Sequence, residues 1–384
     1  MRHKGRQLRS VLTVNGRIGL RRIRWSGAGE VRAPIDALLD TAEKTFTRGV
    51  REMLCRLNQC SSSFVKTAQN LRRLAALSIS GETARKIVLE AGGRVVKQMR
   101  QGRLDYGWTA AECVVQGAAG KTRVYTGCDG VKVPVVTDAE KRKRRATIKA
   151  QRKRCGKRRR PLPALKPGAD QKFKEARVVI AHDEAQTRRA VAVTRGDCEA
   201  TGRLLRALHV RLKTQQADET IANIDGAPWI RNQLELHGVV REINLDYYHL
   251  KDYAQRTRRE AFGEGTAEGQ AWLQQFLTAI LEQGVAAALD FLHQWRRDLP
   301  ARRRNVADGL IGYVSERRQI IRYQEFRKNE WQIGSGPTEA ECKTATQRVK
   351  GRGRRWDWPN AEAVMALAAL DDSNCWQTWW TQAA

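Results

Sequence analysis

Apolar and polar residues alternate between residues 11 and 33, which is the period of a β-strand with one exposed face. Asn15 and Gly16 interrupt this alternation with a pair that favours a two-residue hairpin turn. The pattern therefore predicts a small β-hairpin near the start of the chain. A helical pattern follows from about Pro34.

Two segments with helical spacing come next, at 64–75 and 80–91. Ser80 can cap the second helix, and the short connection with a glycine gives the outline of a helix-turn-helix. In that arrangement Arg85 and Lys86 lie at the exposed start of the second helix and contact DNA. An ordinary helical hairpin explains the same pattern equally well.

From Arg123 the pattern changes to strands, and V-Y-T-G-C-D-G-V-K-V-P-V-V predicts two strands around a turn at Asp129-Gly130. Residues 141–160 then contain 13 Lys or Arg in 20 positions. This composition predicts a flexible, polycationic insertion over 141–172 that neutralises phosphates.

The rest of the chain alternates between strand and helix patterns. Strands resume before a helix at about 198–213, and the apolar run T-I-A-N-I leads into Asp225. The pattern is helical from about 250 to 323, and a last helix covers N-A-E-A-V-M-A-L-A-A-L. This order predicts an α/β fold with a late, all-helical block.

The charge of the chain is extreme, with a formal net charge of +30 and a pI of about 10.4 over 384 residues. Such an excess indicates a polyanionic partner, and nucleic acid is the first candidate. Without an apolar run of membrane-spanning length or a signal-peptide pattern, we expect an intracellular, cytoplasmic protein that does not enter a membrane. The eight cysteines form no C-x-x-C pair, which favours reduced, mostly buried thiols.

Three acidic residues lie where they can hold a metal ion. Asp129 and Asp225 follow strand patterns, and Glu339 falls in the first turn of a late helix. Carboxylates that converge repel one another and need a cation, and their hard oxygen ligands favour Mg²⁺ or Mn²⁺. Two such ions activate a water or a 3′-hydroxyl and stabilise the leaving oxygen of a phosphodiester. Taken singly, each residue also fits a turn, a helix cap or a helix dipole.

Three sequence blocks carry a resemblance to a known family. They are C-D-G-V-K-V-P-V with Asp129, N-I-D-G-A-P-W-I with Asp225, and G-S-G-P-T-E-A-E-C-K-T-A-T-Q-R-V-K-G-R-G-R-R-W with Glu339. The D-x-x-H from Asp246 to His249 is similar to a motif of the Mutator-like enzymes. From about residue 30 to about 370 the chain resembles an insertion-sequence DDE transposase of the ISKra type, a relative of the Mutator-like transposases. Members of this group often carry an N-terminal cysteine pair, which is missing here.

The resemblance implies a ribonuclease H-like catalytic core in which Asp129, Asp225 and Glu339 bind the metal, with Asp246 and His249 beside them. It divides the chain into a DNA-binding region (1–110), the first part of the core (111–250), a helical insertion (251–325) and the rest of the core (326–384). Glu341 is the rival for the third carboxylate. On a helix, however, it points away from Glu339.

The cations after Glu339 are predicted to bind the DNA backbone, with Lys343 one turn beyond Glu339 on the same face. Trp356 either stacks on an unpaired base or packs in the core. The predicted DNA contacts of this stretch are Lys343, Arg348, Lys350, Arg352, Arg354, Arg355 and Trp356.

The resemblance implies an enzyme that binds the ends of its element and target DNA as a homo-oligomer, in the nucleoid of a prokaryotic cell. It would cut the DNA strand with Mg²⁺ or Mn²⁺ and transfer the 3′-hydroxyl to the target. A catalytically inactive DNA-binding protein derived from a transposase is the alternative. A tyrosine recombinase that uses Tyr247 or Tyr248 would instead form a covalent adduct with DNA.

Overall fold

A computed structural model of the chain describes residues 2–27, 30–38, 45–117, 120–156 and 161–382. The strands are β1 (Arg2–Thr13), β2 (Gly16–Gly27), β3 (Glu30–Arg32), β4 (Arg123–Pro134), β5 (Phe173–His182), β6 (Arg189–Thr194), β7 (Glu219–Ile224) and β8 (Glu242–Leu245). The helices before β7 are α1 (Ile35–Leu38), α2 (Arg48–Cys60), α3 (Phe64–Ala75), α4 (Gly81–Arg100), α5 (Asp138–Arg154) and α6 (Cys198–Leu212). The later helices are α7 (Pro228–His237), α8 (Tyr247–Phe262), α9 (Ala267–Thr278), α10 (Val285–Asp298), α11 (Arg304–Arg317), α12 (Tyr323–Lys328), α13 (Gly336–Lys350), α14 (Trp358–Asp372) and α15 (Trp376–Gln382).

The central sheet has five strands in the order β6-β5-β4-β7-β8. β4, β5 and β6 pair antiparallel, whereas β7 and β8 run parallel to β4. The parallel half needs crossovers, and α7 supplies one between β7 and β8. The chain is therefore a mixed α/β protein, as the alternation of patterns predicts.

β4 is one uninterrupted strand, so the prediction of two strands around Asp129-Gly130 is wrong. Its pairing with β5 continues through both residues, with Asp129 opposite Val178 and Gly130 opposite Arg177. An Asp-Gly pair forms a hairpin turn only if the chain folds back on itself there. Here β5 pairs with β4 through both residues, so the strand continues instead of turning.

The polycationic segment is also ordered differently from its prediction as a flexible loop. Residues 138–154 form α5, which begins with a capping box between Thr137 and Glu140 and buries none of its residues. A helix can form without a core contact because Lys, Arg, Ala and Gln have high helix propensity. Residues 157–160 of the predicted insertion lie outside the described residues.

The predicted hairpin is confirmed, with its turn at Val14 and Asn15 and with Gly16 at a φ of +109° that favours glycine. The two predicted helices are present as α3 and α4. Ser80 caps α4 by accepting a hydrogen bond from the Thr83 backbone N–H at 3.0 Å. The role of this helix pair in DNA binding stays a prediction.

The core joins an early helix to a late one, because α4 packs along α14. Residues 361–370 of α14 are all buried, as expected for a helix that is apolar on every side. A Cβ atom on Gly92 of α4 would lie 2.1 Å from the carbonyl oxygen of Ala363, so the helices meet backbone to backbone. The cluster that contains this contact extends from α4 to the sheet and the late helices.

None of the described helices is both long enough and apolar enough to cross a membrane.

The neighbouring residues Gly92 and Gly93 of α4 give a matched test of this packing. Gly92→Ala should lower the free energy of unfolding by roughly 1–3 kcal/mol, because its methyl group collides with the backbone of α14. Gly93→Ala meets nothing within 4 Å and should raise stability by up to about 1 kcal/mol through helix propensity. Urea unfolding followed by tryptophan fluorescence measures both. Equal effects of the two changes would contradict the close approach of α4 and α14.

Candidate active site

Asp129 lies in β4, and Asp225 directly follows the neighbouring strand β7. β4 and β7 run parallel, and their last registered pair is Thr126 with Ala222. Asp129 and Asp225 each follow three residues later, so the same register places them side by side at one edge of the paired region. The sheet thus brings together two acidic residues that are far apart in sequence.

Asp129 is a half-buried carboxylate held by its own strand. Its Oδ1 accepts a hydrogen bond of 2.6 Å from the backbone N–H of Gly130. Burial raises the pKa of Asp129 and the nearby charge of Asp225 raises it further, while the Gly130 hydrogen bond opposes both. The rise in pKa means that the site disfavours a second negative charge, which a bound cation would relieve.

Asp225 lies in a turn that directly follows the fully buried strand β7. Its Oδ1 accepts a hydrogen bond of 2.8 Å from the backbone N–H of Ala227, and Gly226 adopts a φ of +85°. A Cβ atom on Gly226 would lie 2.7 Å from Nε of Arg317, so this arginine of α11 covers the turn. The glycine after Asp225 therefore allows both the turn and the approach of the helical block.

α13 brings Glu339 to the same strand by a close contact with β4. A Cβ atom on Gly127 would lie 1.7 Å from Oγ1 of Thr338, so only glycine fits there. Further along α13, Sγ of Cys342 lies 3.9 Å from Oδ2 of Asp129. Residues three apart share a helix face, so Glu339 stands on the face that meets Asp129.

Asp246 is a fully buried carboxylate that joins three parts of the chain. It caps α8, where Oδ1 accepts the backbone N–H groups of Tyr248 at 2.6 Å and His249 at 3.3 Å. Its Oδ2 accepts the backbone N–H of Ser335 at 2.8 Å and also the Ser335 hydroxyl. Its own N–H donates to the carbonyl of Ile224 at 2.7 Å, next to Asp225. Asp246 therefore fixes the residue that precedes α13 relative to the end of β7.

Burial by itself raises the pKa of Asp246, but the neighbouring His249 and the hydrogen bonds from Ser335 outweigh it and hold the pKa below its usual range. Nδ1 of His249 lies 3.3 Å from Oδ2 of Asp246 and 4.0 Å from Oε1 of Glu339. The Asp246 carboxylate raises the pKa of His249 against partial burial, and Asp225 and Glu339 add to the rise. The imidazole thus lies between the buried carboxylate and the carboxylate at the surface.

Among the described residues, one group of possible ligands has all its ligand atoms within 4.8 Å of one another, namely Asp246, His249 and Glu339. Asp129 and Asp225 lie outside this group, although the charge of Asp129 acts on Cys342 beside it and the charge of Asp225 acts on His249 within it. Two ions in a two-metal site lie about 3.5–4 Å apart, so their ligands spread over more than one such group. The sequence analysis placed Asp246 and His249 beside the metal ligands, and the structure brings His249 to Glu339.

Glu341 points away from this site, as its spacing predicts. It is buried, and its Oε1 accepts a hydrogen bond of 3.1 Å from Arg189 of β6. Burial raises the pKa of Glu341, and burial together with the Glu341 charge raises the pKa of the nearby Asp372 to about 7. Glu341 therefore ties α13 to β6 and α14.

Arg348 is a correction to the predicted DNA contacts, because it is buried. Trp356 is also buried, which agrees with core packing, the alternative to base stacking. Nε of Arg348 donates to the carbonyl of Asn58 at 2.9 Å, and its guanidinium lies over the rings of Phe64 and Trp356. Burial, with the Arg354 charge, lowers the pKa of Arg348 to about 10. Nε1 of Trp356 donates to the carbonyl of Val349 at 3.1 Å. Most of the surface of these two side chains is therefore used in contacts within the protein.

The other predicted cations divide into exposed and engaged side chains. Lys86, Lys343, Lys350 and Arg352 are exposed. Arg85 pairs with Glu82 at 2.7 Å, Arg354 donates to the carbonyl of Arg348 at 2.7 Å, and Arg355 pairs with Glu140. The exposed group keeps its predicted role as a DNA contact, and the engaged group first serves the fold.

Four residues that shape the site were not among the predicted site residues: Gly127, Arg317, Ser335 and Cys342. Gly127 stands two residues before Asp129, and Ser335 stands inside the quoted Gly-Ser-Gly. A small residue shortly before Asp129 and before Glu339 could therefore have indicated a close contact at each of these acidic residues. Arg317 had no local signal, because its place over Gly226 depends on how the helical block packs.

No protein-family model matches the chain, and no curated protein matches it.

The electrostatic link between Asp246 and His249 predicts a pH effect. In metal-free protein, NMR should find the pKa of His249 above about 6.5, and Asp246→Asn should lower it. A histidine whose pKa is raised by folding stabilises the protein below its unfolded pKa, and this contribution is lost as the pH rises through the folded value. His249→Gln should therefore cost more stability at pH 6 than at pH 9, as measured by urea unfolding. Equal costs at both pH values would contradict the pairing.

Arg348 and Lys350 test the division between structural and exposed cations. Arg348→Ala should lower the free energy of unfolding by roughly 2–4 kcal/mol, because it removes a buried hydrogen-bonded side chain. Lys350→Ala should change stability by less than about 0.5 kcal/mol. Urea unfolding and a DNA-binding titration measure the two variants side by side. A stable Arg348→Ala variant with weakened DNA binding would restore the original prediction for Arg348.

Proposed function

We propose that the chain is a DDE transposase of an insertion sequence of the ISKra type. It binds the ends of its element, cuts the DNA strand with a divalent metal ion and joins the freed end to target DNA. The observation that carries this proposal is the matched position of Asp129 and Asp225 on neighbouring parallel strands, with the Glu339 helix packed against the first of them.

The sheet supports a ribonuclease H-like core. Three antiparallel strands come first in the sequence, two parallel strands joined by a helix follow, and the central strand carries Asp129. The helices from α8 to α12 stand between β8 and α13, where the family resemblance places an insertion. Asp225 and Glu339 lie on either side of these helices in sequence, and the charges of both act on His249 of α8.

The donor set fits Mg²⁺ or Mn²⁺, since carboxylate oxygens suit these hard ions. Asp129, Asp225 and Glu339 would hold two ions, which supply an activated water and stabilise the leaving oxygen. The protein's own part is to fix the carboxylates. Gly127 admits α13, and Asp246 holds Ser335 at the start of that helix. His249 lies 4.0 Å from Glu339 and attracts its carboxylate when the imidazole is protonated.

The reaction proceeds in two displacements at phosphorus. Water attacks the phosphodiester at the element end, and the bond between phosphorus and the 3′-oxygen breaks to leave a 3′-hydroxyl. That hydroxyl then attacks a phosphodiester of the target and releases a strand of the target in turn. Exposed Lys343, one turn beyond Glu339, is placed to bind the flanking phosphates. The two element ends require more than one copy of the chain.

Strand cleavage of labelled duplexes made from the DNA that flanks the coding sequence tests this proposal. With Mg²⁺ or Mn²⁺ the wild type should nick the duplex at the element end, and EDTA should abolish nicking. Glu339→Gln should lower the nicking rate by roughly a hundredfold or more, on the scale of losing one stabiliser of transition-state charge. Asp129→Asn and Asp225→Asn should behave alike.

Glu268→Gln is the matched control, because Glu268 is also a glutamate in the first turn of a helix, α9, and is exposed. It should nick at the wild-type rate. If all variants bind the duplex and none cleaves, the wild type included, the chain is an inactive DNA-binding protein derived from a transposase. A covalent adduct through Tyr247 or Tyr248 would instead identify a tyrosine recombinase.

A further inference from the structure

The hairpin of β1 and β2 is a long, basic ribbon whose role the proposed reaction does not explain. Each strand has 12 residues, so the ribbon is about 40 Å long. Its turn end is built into the helical part. There Val11 and Leu12 are buried, and Leu12 exchanges backbone hydrogen bonds with Thr45 and Thr47 at 2.9 and 3.0 Å. The rest of the ribbon is mostly exposed.

The charge of the ribbon has one sign. Residues 2–27 contain eight Lys or Arg and no Asp or Glu. Exposed like charges so close together oppose folding, and a polyanion bound along the ribbon would relieve their repulsion.

The two faces of the ribbon differ. Arg22 lies directly opposite Gln7, and opposite residues share a face of the ribbon. Arg9 is two residues from Gln7 on the same strand, so Arg9 and Arg22 lie on one face. Both pair with Asp36, Arg9 at 3.1 Å, and Asp36 is buried. This face is therefore held by the segment that contains α1.

Apart from the buried Leu12 at its turn end, the opposite face is exposed and carries arginine, aliphatic and small side chains. The pairs on it are Arg6 with Ile23, Leu8 with Arg21, Ser10 with Gly19, and Leu12 with Arg17. Leu8 is 66 % exposed and Ile23 42 % exposed, so this face presents apolar as well as cationic side chains to the solvent. We name the exposed members of this set the ribbon face: Arg6, Leu8, Ser10, Arg17, Arg21 and Ile23.

We propose that the ribbon face lies in the major groove of double-stranded DNA and recognises base sequence there. The major groove, about 12 Å wide, admits a two-stranded ribbon, and its base edges offer partners for both kinds of side chain on this face. Arginine donates to the N7 and O6 atoms of guanine, and aliphatic groups contact the methyl group of thymine.

The register gives the ribbon face a defined reach. Arg6 lies on β1, Arg21 lies opposite Leu8, and Arg17 lies opposite Leu12. These arginines therefore span six residues of β1, or about 20 Å. This length corresponds to about six base pairs at roughly 3.4 Å each. A second copy of the chain is a poor occupant, because a symmetric contact would bring these arginines against one another. The proposal uses only the DNA-binding part of the proposed function and does not depend on the catalytic site.

The test compares variants with equal changes of charge. The full chain, in EDTA, first selects duplexes from a pool of DNA with a randomised centre. Affinities for the enriched duplex and for a scrambled one are then measured at constant salt. The ribbon variant is Arg6→Gln with Arg17→Gln and Arg21→Gln. The control carries Arg206→Gln, Arg259→Gln and Arg297→Gln, three exposed arginines of α6, α8 and α10. Circular dichroism and thermal unfolding verify that both variants are folded.

The wild type should enrich a motif of about six base pairs, and the ribbon variant should bind the enriched duplex roughly tenfold or more weakly than the control does. Replacing thymine by deoxyuridine in that motif should weaken DNA binding by the wild type. It should not change DNA binding by the double variant Leu8→Ser with Ile23→Ser.

The proposal is overturned if no motif is enriched, or if the ribbon variant and the control lose the same affinity on both duplexes. It is also overturned if Leu8→Ser with Ile23→Ser dissociates an oligomer without changing DNA affinity. Because EDTA prevents cleavage, none of these outcomes depends on whether the enzyme cuts DNA.

Discussion

The contact between α13 and β4 is the constraint on which the candidate site depends. At Gly127 the strand has no side chain, and the space is filled by Thr338, one residue before Glu339. The same approach places Cys342 against Asp129. A larger side chain at Gly127 would separate the helix that carries the third carboxylate from the sheet that carries the first two. Packing at a small residue, rather than attraction between acidic groups, therefore assembles the site.

The acidic groups repel one another and so oppose this assembly. Asp129 and Asp246 differ in how far their surroundings stabilise the negative charge. Asp246 is fully buried, but hydrogen bonds from backbone N–H groups and Ser335 and the neighbouring His249 stabilise its charged form. Its pKa therefore lies below the usual range. Asp129 has one backbone hydrogen bond and an acidic neighbour, and its pKa is raised. The repulsion between Asp129 and Asp225, which are proposed to bind metal, is thus left uncompensated. The charge of Asp246, which joins β7, α8 and α13, is compensated.

The basic residues also divide by location more than by sequence. Arg348 and Lys350 stand two positions apart in one run of cations, yet Arg348 is enclosed between Phe64 and Trp356 whereas Lys350 is exposed. A charge run predicts affinity for a polyanion, but it cannot tell which of its members the fold uses. In the hairpin, likewise, Arg9 and Arg22 are held by Asp36, and Arg21 on the other face is exposed.

The sequence alone determined the elements with strong local signals: the hairpin at Asn15-Gly16, the Ser80 cap of α4, the late helices and the opposite directions of Glu339 and Glu341. These features depend on turn chemistry, capping and helical spacing, which act over a few residues. Tertiary structure decided that Asp129-Gly130 lies inside a strand, because β5, a separate segment of the chain, pairs with both residues. It also decided that Arg348 is buried, that Arg317 covers Gly226 and that His249 meets Glu339. Each of these contacts joins segments that no local pattern relates, so only the packed chain could fix them.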